Sequence, residues 1–475
     1  MSPLTREPRE AASYLPASSD TGEPPGTKQV CKKWSLLFAL YQAGLVTFGA
    51  VYLLVRLARG RRLPGLGERL ARYSDGQRQA LASAGGPVWL HLVSVGEALA
   101  ARPLVEELRR RFPERAWVIT TVTPTGRAMA RRLVREGKDH LLYLPWDLGP
   151  VVRRALRVIR PRIFLAFETE LWPVLFRELG KAGVPAAVVN GRISPSAYRW
   201  YLWVRPLMQR ALLPVEIFFT QSSQDARRFA GAGAAMDRIT VTGNLKWDQE
   251  VDADASGAQA ERLRAEWGIS NGRLLWTAGS THEGEELQLL RAHGNLRAEF
   301  PGLRLVLAPR HPERVAAVEQ EVRALGMKSV RRSALSKSVP GTVPVTVPGT
   351  EPPVIVLDTI GELAGVYRVS DVVFVGGSLV PHGGHNLVEP AALSRAIVTG
   401  PHLHNFQAVS EALGQGGGMI IVKSQKELER AVLQLLREPA ARAELGRRAH
   451  AVFQQNRGAA ARTAELITLR WGRVL

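Results

Sequence analysis

Cysteine is almost missing from this chain: Cys31 stands alone among 475 residues. That excludes an intramolecular disulfide framework and a zinc site built from cysteines, and it fits a reducing compartment. No Gly-x-x-x-x-Gly-Lys-Ser/Thr phosphate loop occurs, which excludes a P-loop ATPase. Zinc-finger spacings and aromatic RNA-binding signatures are missing too, so nucleic acid is not the expected partner. Acid is in short supply. Against 63 Lys and Arg stand 43 Asp and Glu, a balance of +20, and such a balance attracts anionic membrane surfaces, acidic substrates or nucleic acid. What is present is apolar: 45% hydrophobic residues support globular domains, and the length asks for two of them.

Residues 1–31 are rich in Pro, Ser, Gly and Glu without periodicity, the composition of a disordered tail. Lys32 and Lys33 then precede an uncharged run, Trp34 to Val55. As a helix it would span roughly 33 Å, enough to cross a bilayer. Arg56, Arg59, Arg61 and Arg62 follow with no acid among them. The heavier positive charge behind the run places the bulk of the protein on the cytoplasmic side of an inner membrane, with residues 32–62 as anchor and basic flank.

From about residue 85 strand, turn and helix alternate. Apolar β-rich runs at Pro87–Val95, Ala116–Thr123, Ile163–Phe167, Val184–Val189, Ile217–Thr220 and Ile239–Thr242 are each followed by a polar turn. A polar, Ala-rich stretch from Asp248 to Ala260 breaks the rhythm. It restarts with runs at Leu274–Ala278, Leu303–Leu307, Val354–Leu357, Val372–Val375, Ala396–Thr399 and Met419–Val422, then helices from Gln425 to Trp471. The Pro/Thr/Val-rich residues 333–353 read as a surface loop. The pattern predicts two doubly wound parallel α/β domains, 63–247 and 248–475, with a site in the cleft between them.

Several turns carry chemistry. Glu97 closes Val93-Ser-Val-Gly-Glu97 at a strand's carboxyl end and a helix's start, where open α/β sheets place ligands. On that turn alone the better reading is a carboxylate that offsets the helix dipole, since acidic residues are common in first turns. Pro381-His-Gly-Gly-His-Asn-Leu-Val-Glu389 follows a strand and opens a helix, so its glycines and free N–H groups suit an anion, and Glu389 suits sugar hydroxyls. Arg310, at another strand end, suits a phosphate or carboxylate. His282, His311, His382 and His385 come from separate turns without the helical two-His zinc spacing, so no metal is expected. Asp252-Ala-Asp254 lacks a preceding strand and is set aside.

Together the motifs closely resemble the Kdo transferases of lipopolysaccharide synthesis, glycosyltransferase family 30. The carrying pieces are Val93-Ser-Val-Gly-Glu97, Thr121-Val-Thr-Pro-Thr-Gly126, Glu168-Thr-Glu-Leu-Trp-Pro173, Ser280-Thr-His-Glu-Gly-Glu-Glu286, Pro309-Arg-His-Pro-Glu-Arg314, Gly361-Glu-Leu363, Phe374-Val-Gly-Gly-Ser-Leu-Val380 and Gly384-His-Asn386. The resemblance implies a GT-B fold with an N-terminal membrane anchor. It also implies inverting transfer of 3-deoxy-D-manno-octulosonate (Kdo) from CMP-Kdo to a lipid A precursor, lipid IVA, without metal or cofactor. It makes Glu97 the general base, and it assigns CMP to Pro309, Arg310, Ile360, Gly361, Glu362, Asn386, Leu387, Val388 and Glu389. Here Asn190-Gly-Arg192 replaces the family's Asn-Ala-Arg, and Phe167 stands where Met is frequent. The rival readings are a GT-B transferase using a UDP-sugar on a lipid, and a non-enzymatic polyanion binder.

Overall fold

Runs of β-branched and aromatic residues that are apolar on both sides can only be central strands covered on two faces. The computed structural model describes residues 27–60, 63–249, 264–265, 269, 273–335 and 354–475, and builds two such sheets. The first has strands β1 Val88–His91, β2 Trp117–Thr121, β3 His140–Tyr143, β4 Ile163–Phe167, β5 Ala186–Gly191, β6 Val215–Thr220 and β7 Ile239–Val241, in the order β3-β2-β1-β4-β5-β6-β7. The second has β8 Leu275–Thr281, β9 Arg304–Pro309, β10 Ser329–Arg331, β11 Val354–Val356, β12 Val372–Val375, β13 Ala396–Thr399 and β14 Met419–Ile421, in the order β10-β11-β9-β8-β12-β13-β14. Every ladder is parallel, as in β1 against β4, where Val88 faces Ile163 and His91 faces Ala166. Along β4 the alternation is visible residue by residue. Phe164 and Ala166 enter one core, while Ile163, Leu165 and Phe167 enter the other.

Two strand ends per sheet matter most. Strand order reverses between β1 and β4 in the first sheet and between β8 and β12 in the second. A doubly wound sheet opens a crevice at that point, beyond the carboxyl ends of the strands.

The expected tail covers too much. Residues 1–26 lie outside the described residues, but Thr27–Cys31 belong to a helix that continues to Ala58. Its stretch Phe38–Arg56, 19 residues, is long and apolar enough to cross a membrane by length and composition. Phe38, Tyr41, Gln42, Leu45, Gly49 and Arg56 form its shielded stripe, at helical spacing. Tyr41 Oη donates to Asp147 Oδ2 (3.0 Å), and Gln42 Oε1 accepts from Gly149 N (2.8 Å). Leu40, Phe48, Val51 and Leu54 remain exposed on the other side.

The domain ends also need correction. Sequence reading assigned all terminal helices to the second domain. Helix Ala459–Trp471 instead returns to the first, where Ala459, Ala460, Ala464, Ile467 and Trp471 join the core that holds Leu90 and Leu104. An Ala-rich helix can do this because its small side chains let it lie close against Val95–Arg111. Asp248 fixes the return by accepting from Gly458 N (2.5 Å) and Ala460 N (2.6 Å). Trp471 is only 4% exposed, so Trp471→Ala should cost about 3–5 kcal/mol. Denaturant unfolding of the full chain checks this: a loss under about 1 kcal/mol would place the helix outside the core. Of the Asp248–Ala260 stretch, residues 250–260 lie outside the described residues, as do Asp252, Asp254 and residues 336–353 of the expected loop. Ser333–Leu335, expected in that loop, belong instead to a short helix.

Candidate active site

Between β1 and helix Val95–Arg111 the backbone must leave an extended strand and start a helix within a few residues. Ser94 caps that helix, its Oγ accepting from Glu97 N (3.2 Å). The Glu97 carboxylate folds back and accepts from Val93 N through Oε2 (2.8 Å) and from Ser94 Oγ through Oε1 (2.9 Å). This reciprocal cap satisfies N–H groups that would otherwise be orphaned. It also fixes the carboxylate at the mouth of the first crevice. Burial raises the Glu97 pKa, with Glu168 and then Glu170 adding to it against those two hydrogen bonds, to about 7.

Glu168 stands at the other side of the switch point, directly after β4, in a left-handed conformation with φ +53°. Its Oε2 lies 3.7 Å from Arg192 Nε, and Thr169 Oγ1 holds the Arg192 carbonyl (2.6 Å). Glu170 accepts from Trp172 Nε1 (3.0 Å) and lies 3.5 Å from Nε2 of the fully buried His91.

Sequence reading missed Lys246. Leu245 is locked into the first domain's core and Trp247 into the second's, so Lys246 sits on the crossover itself. Its Nζ lies 4.8 Å from the Phe406 ring centroid. Burial lowers its pKa and Arg192 adds to that, while Glu168 and Glu97 pull the other way. The signal was available: Lys246 follows β7 as Glu97 follows β1, one short turn beyond the strand end.

The second domain meets these groups through the turn after β12. A cavity of about 310 Å³ is lined by Glu97, Glu168, Arg192 and Lys246 from the first domain and its crossover, and by Asn386 and Asn405 from the second. Asn386 Oδ1 accepts from Val388 N (3.0 Å), and its Nδ2 reaches Glu389 Oε1 and Gln249 Oε1 (3.0 Å each). Leu387 and Val388 are buried, which anchors this turn to the core. Burial raises the pKa of Glu389, opposed by the Asn386 hydrogen bond.

The other expected donor residues lie at the carboxyl ends of β9 and β11. Pro309 closes β9, and Arg310 N donates to Thr281 O (2.9 Å), leaving the exposed guanidinium beyond the strand. Ile360 is 82% exposed, and Gly361 has φ +97° with open space where a Cβ would stand. Glu362 accepts from Arg332 Nε and Thr359 Oγ1 (2.9 Å each). Since β11 neighbours β9, both turns share one sheet edge with the turns after β8 and β12.

That edge is held by a residue whose role sequence reading did not identify. Glu285 is fully buried, and its carboxylate accepts from four backbone N–H groups: His282 (3.0 Å), Gly377 (2.7 Å), Ser378 (2.9 Å) and Leu379 (2.9 Å). The turn after β8 thereby clamps the Gly-rich turn after β12. A Cβ on Gly376 would come within 2.6 Å of Ser280 O, so only glycine fits there. The four histidines come from three turns, since His382 and His385 share the one after β12, and they converge: His282 and His385 share a 2.8 Å Nε2–Nε2 hydrogen bond, His382 stacks on His282 at 4.2 Å, and the His311 ring lies edge-on to His282 at 5.6 Å. Burial lowers the pKa of His282 to about 4 and that of His385 to about 3, helped by their neighbours and Arg310, so both rings are neutral near pH 7. Among the described residues no group of three or more His, Cys, Asp or Glu is placed to hold a metal ion.

The arrangement is a buried carboxylate facing polar and cationic groups across an interdomain cavity, and known proteins resemble this chain in sequence and fold. Residues 64–249 match the family model described as 3-deoxy-D-manno-octulosonic-acid transferase (kdotransferase). The 3-deoxy-D-manno-octulosonic acid transferase of Haemophilus influenzae is 34% identical over 381 residues, 80% of this chain and 86% of that one. Its counterpart from Bordetella pertussis is 35% identical over 420 residues, 86% of this chain and 94% of that one. Among solved structures, Anabaena Alr3699/HepE in complex with UDP superposes with a TM-score of 0.55 at 14% identity, over 80% of this chain and 99% of that one, a likeness of fold alone. The fold is GT-B, and over most of its length the chain belongs to the Kdo transferase family of glycosyltransferases.

Proposed function

We propose that the protein transfers Kdo from CMP-Kdo to a sugar hydroxyl of a lipid A precursor, lipid IVA, with inversion and with Glu97 as base. The observation that carries this is the single cavity in which Glu97 faces Asn386 across the domain boundary. In the proposed step the hydroxyl proton passes to a Glu97 carboxylate oxygen as the hydroxyl oxygen attacks the anomeric carbon. The bond from that carbon to the phosphate oxygen breaks, and its electron pair leaves on CMP. A base with a pKa of about 7 suits this, since about half of it is ionised at neutral pH and it is basic enough to accept a proton.

The donor carries its own carboxylate and phosphate. Lys246 and Arg192 supply positive charge within the cavity, and Arg310 supplies it at the strand edge behind. Such groups, fixed in advance, stabilise a departing anion at little reorganisation cost. As proposed, Pro309, Arg310, Ile360, Gly361, Glu362, Asn386, Leu387, Val388 and Glu389 hold CMP, and the step uses neither metal nor cofactor. The exposed apolar face of the Thr27–Ala58 helix and the +20 charge support attachment to an anionic inner membrane from its cytoplasmic side.

Calorimetric titration with CMP and UDP tests the donor. CMP should bind at least about tenfold tighter, the discrimination expected where a pocket hydrogen-bonds one base edge. Tighter UDP binding would assign the chain to UDP-sugar transfer.

A further inference from the structure

After β5 the chain turns through Arg192 and enters the helix Pro195–Trp203, capped by Ser194, whose Oγ accepts from Ala197 N (3.2 Å). No residue of that helix is fully buried. Tyr198 and Tyr201 pack against the first domain's core, while Trp200 and Trp203 are left 60% and 77% exposed. Residues three apart share one helix face, and the two indole rings stack at 5.4 Å. Leu202 beside them is exposed as well. A contiguous apolar patch of this kind marks an interaction surface.

Charge and position narrow the partner. Between Pro195 and Leu213 stand Arg199, Arg205 and Arg210 and no acidic residue. Indole rings favour the boundary between lipid tails and headgroups, and arginines beside them extend their guanidinium groups to lipid phosphates. The patch lies on the same side of the first sheet as the Thr27–Ala58 helix, which exposes Phe48 and Leu54. Tyr41 of that helix and Tyr201 pack on one core, and helix Arg205–Leu212 touches the Thr27–Ala58 helix directly. A second copy of this chain is the poorer occupant, because a self-contact would set arginines against arginines with no acid between them.

We propose that Trp200, Leu202 and Trp203 dip into the headgroup boundary of an anionic bilayer as a second membrane contact, with Arg199 and Arg205 on the lipid phosphates. This contact presupposes the membrane attachment of the Thr27–Ala58 helix proposed above and adds to it. One helix alone leaves the first domain free to swivel about the helix axis, whereas two contacts fix its tilt. Arg192, in the turn before Pro195, lines the cavity with Glu97, so the fixed tilt holds that cavity close to the lipid surface.

A fluorophore at the patch reads the contact directly. In the full chain with Cys31→Ser, the variant Leu202→Cys carries an environment-sensitive dye. The control is Leu469→Cys, at an exposed residue of helix Ala459–Trp471, which packs on the opposite face of the first sheet. On vesicles of phosphatidylcholine with phosphatidylglycerol, emission from the dye at position 202 should rise and be quenched by lipids brominated high in the acyl chain. The dye at position 469 should show neither. Adding Trp200→Ser and Trp203→Ser should lower the ratio of docked to undocked patch at least about tenfold, since two indoles then lose their burial in lipid. Vesicle binding without quenching at position 202 overturns the second contact and leaves the helix anchor standing, while absence of vesicle binding overturns both. Equal quenching at the two positions also overturns it, and an equal rise on phosphatidylcholine alone overturns the anionic assignment. Emission that follows protein concentration rather than lipid would assign the patch to a second copy.

Discussion

Replacing Glu97 by Gln should abolish transfer, by about 10²–10⁴-fold in kcat if the carboxylate is the base, while CMP affinity changes less than about twofold. The swap is mild for the fold. A Gln at this position keeps an oxygen for Val93 N, and its amide can donate to Ser94 Oγ, reversing the present bond. In the wild type, kcat/KM should rise with pH and level off above a pKa of about 7. Stability runs the opposite way. The folded pKa is raised, so the stabilisation from proton binding is complete below the unfolded value near 4.5 and is lost as pH rises through about 7. Glu97→Gln should therefore raise the melting temperature at pH 8 relative to wild type and lose that advantage near pH 4.5. Transfer within tenfold of wild type would return Glu97 to helix capping alone.

The second large effect concerns Glu285. One carboxylate satisfies four backbone donors from two turns, and each buried donor left unpaired costs about 1–3 kcal/mol. An isosteric Gln offers one acceptor oxygen, and its amide would point at Ser378 N and Leu379 N or at His282 N and Gly377 N. We expect Glu285→Gln to cost at least about 3 kcal/mol and to weaken CMP binding more than about tenfold. Calorimetric unfolding and CMP titration of the same sample measure both. A cost under about 0.5 kcal/mol would mean that the Gly-rich turn holds its shape without the clamp.

Central strands were legible in the sequence, and of the four edge strands only β7 and β14 were. Ile163–Phe167, Val372–Val375 and Ala396–Thr399 are continuous apolar runs, found at their observed bounds because burial on both faces leaves no polar positions. β3 and β10 were missed. His140 and Leu141 are half-buried, and Ser329-Val-Arg331 is short and polar, as edge strands are. The turn motifs were legible because glycine, proline and carboxylate choices there are dictated locally. Lys246 shared only the position of such a turn after a strand; its place on the crossover comes from Leu245 and Trp247 belonging to different cores. The Glu285 clamp depends on a partner about ninety residues away, which no local pattern displays.

The return of Ala459–Trp471 to the first domain has a consequence for how the protein is made. During synthesis β1 to β7 leave the ribosome before the second domain, but Ile467 and Trp471, which close their core, arrive after it. The second domain has its strands by Ile421 and its covering helices by Asn456. Domains usually complete themselves in the order of translation. Here that order is inverted: the second domain can finish while the first, already carrying its apolar N-terminal helix, waits with one flank uncovered.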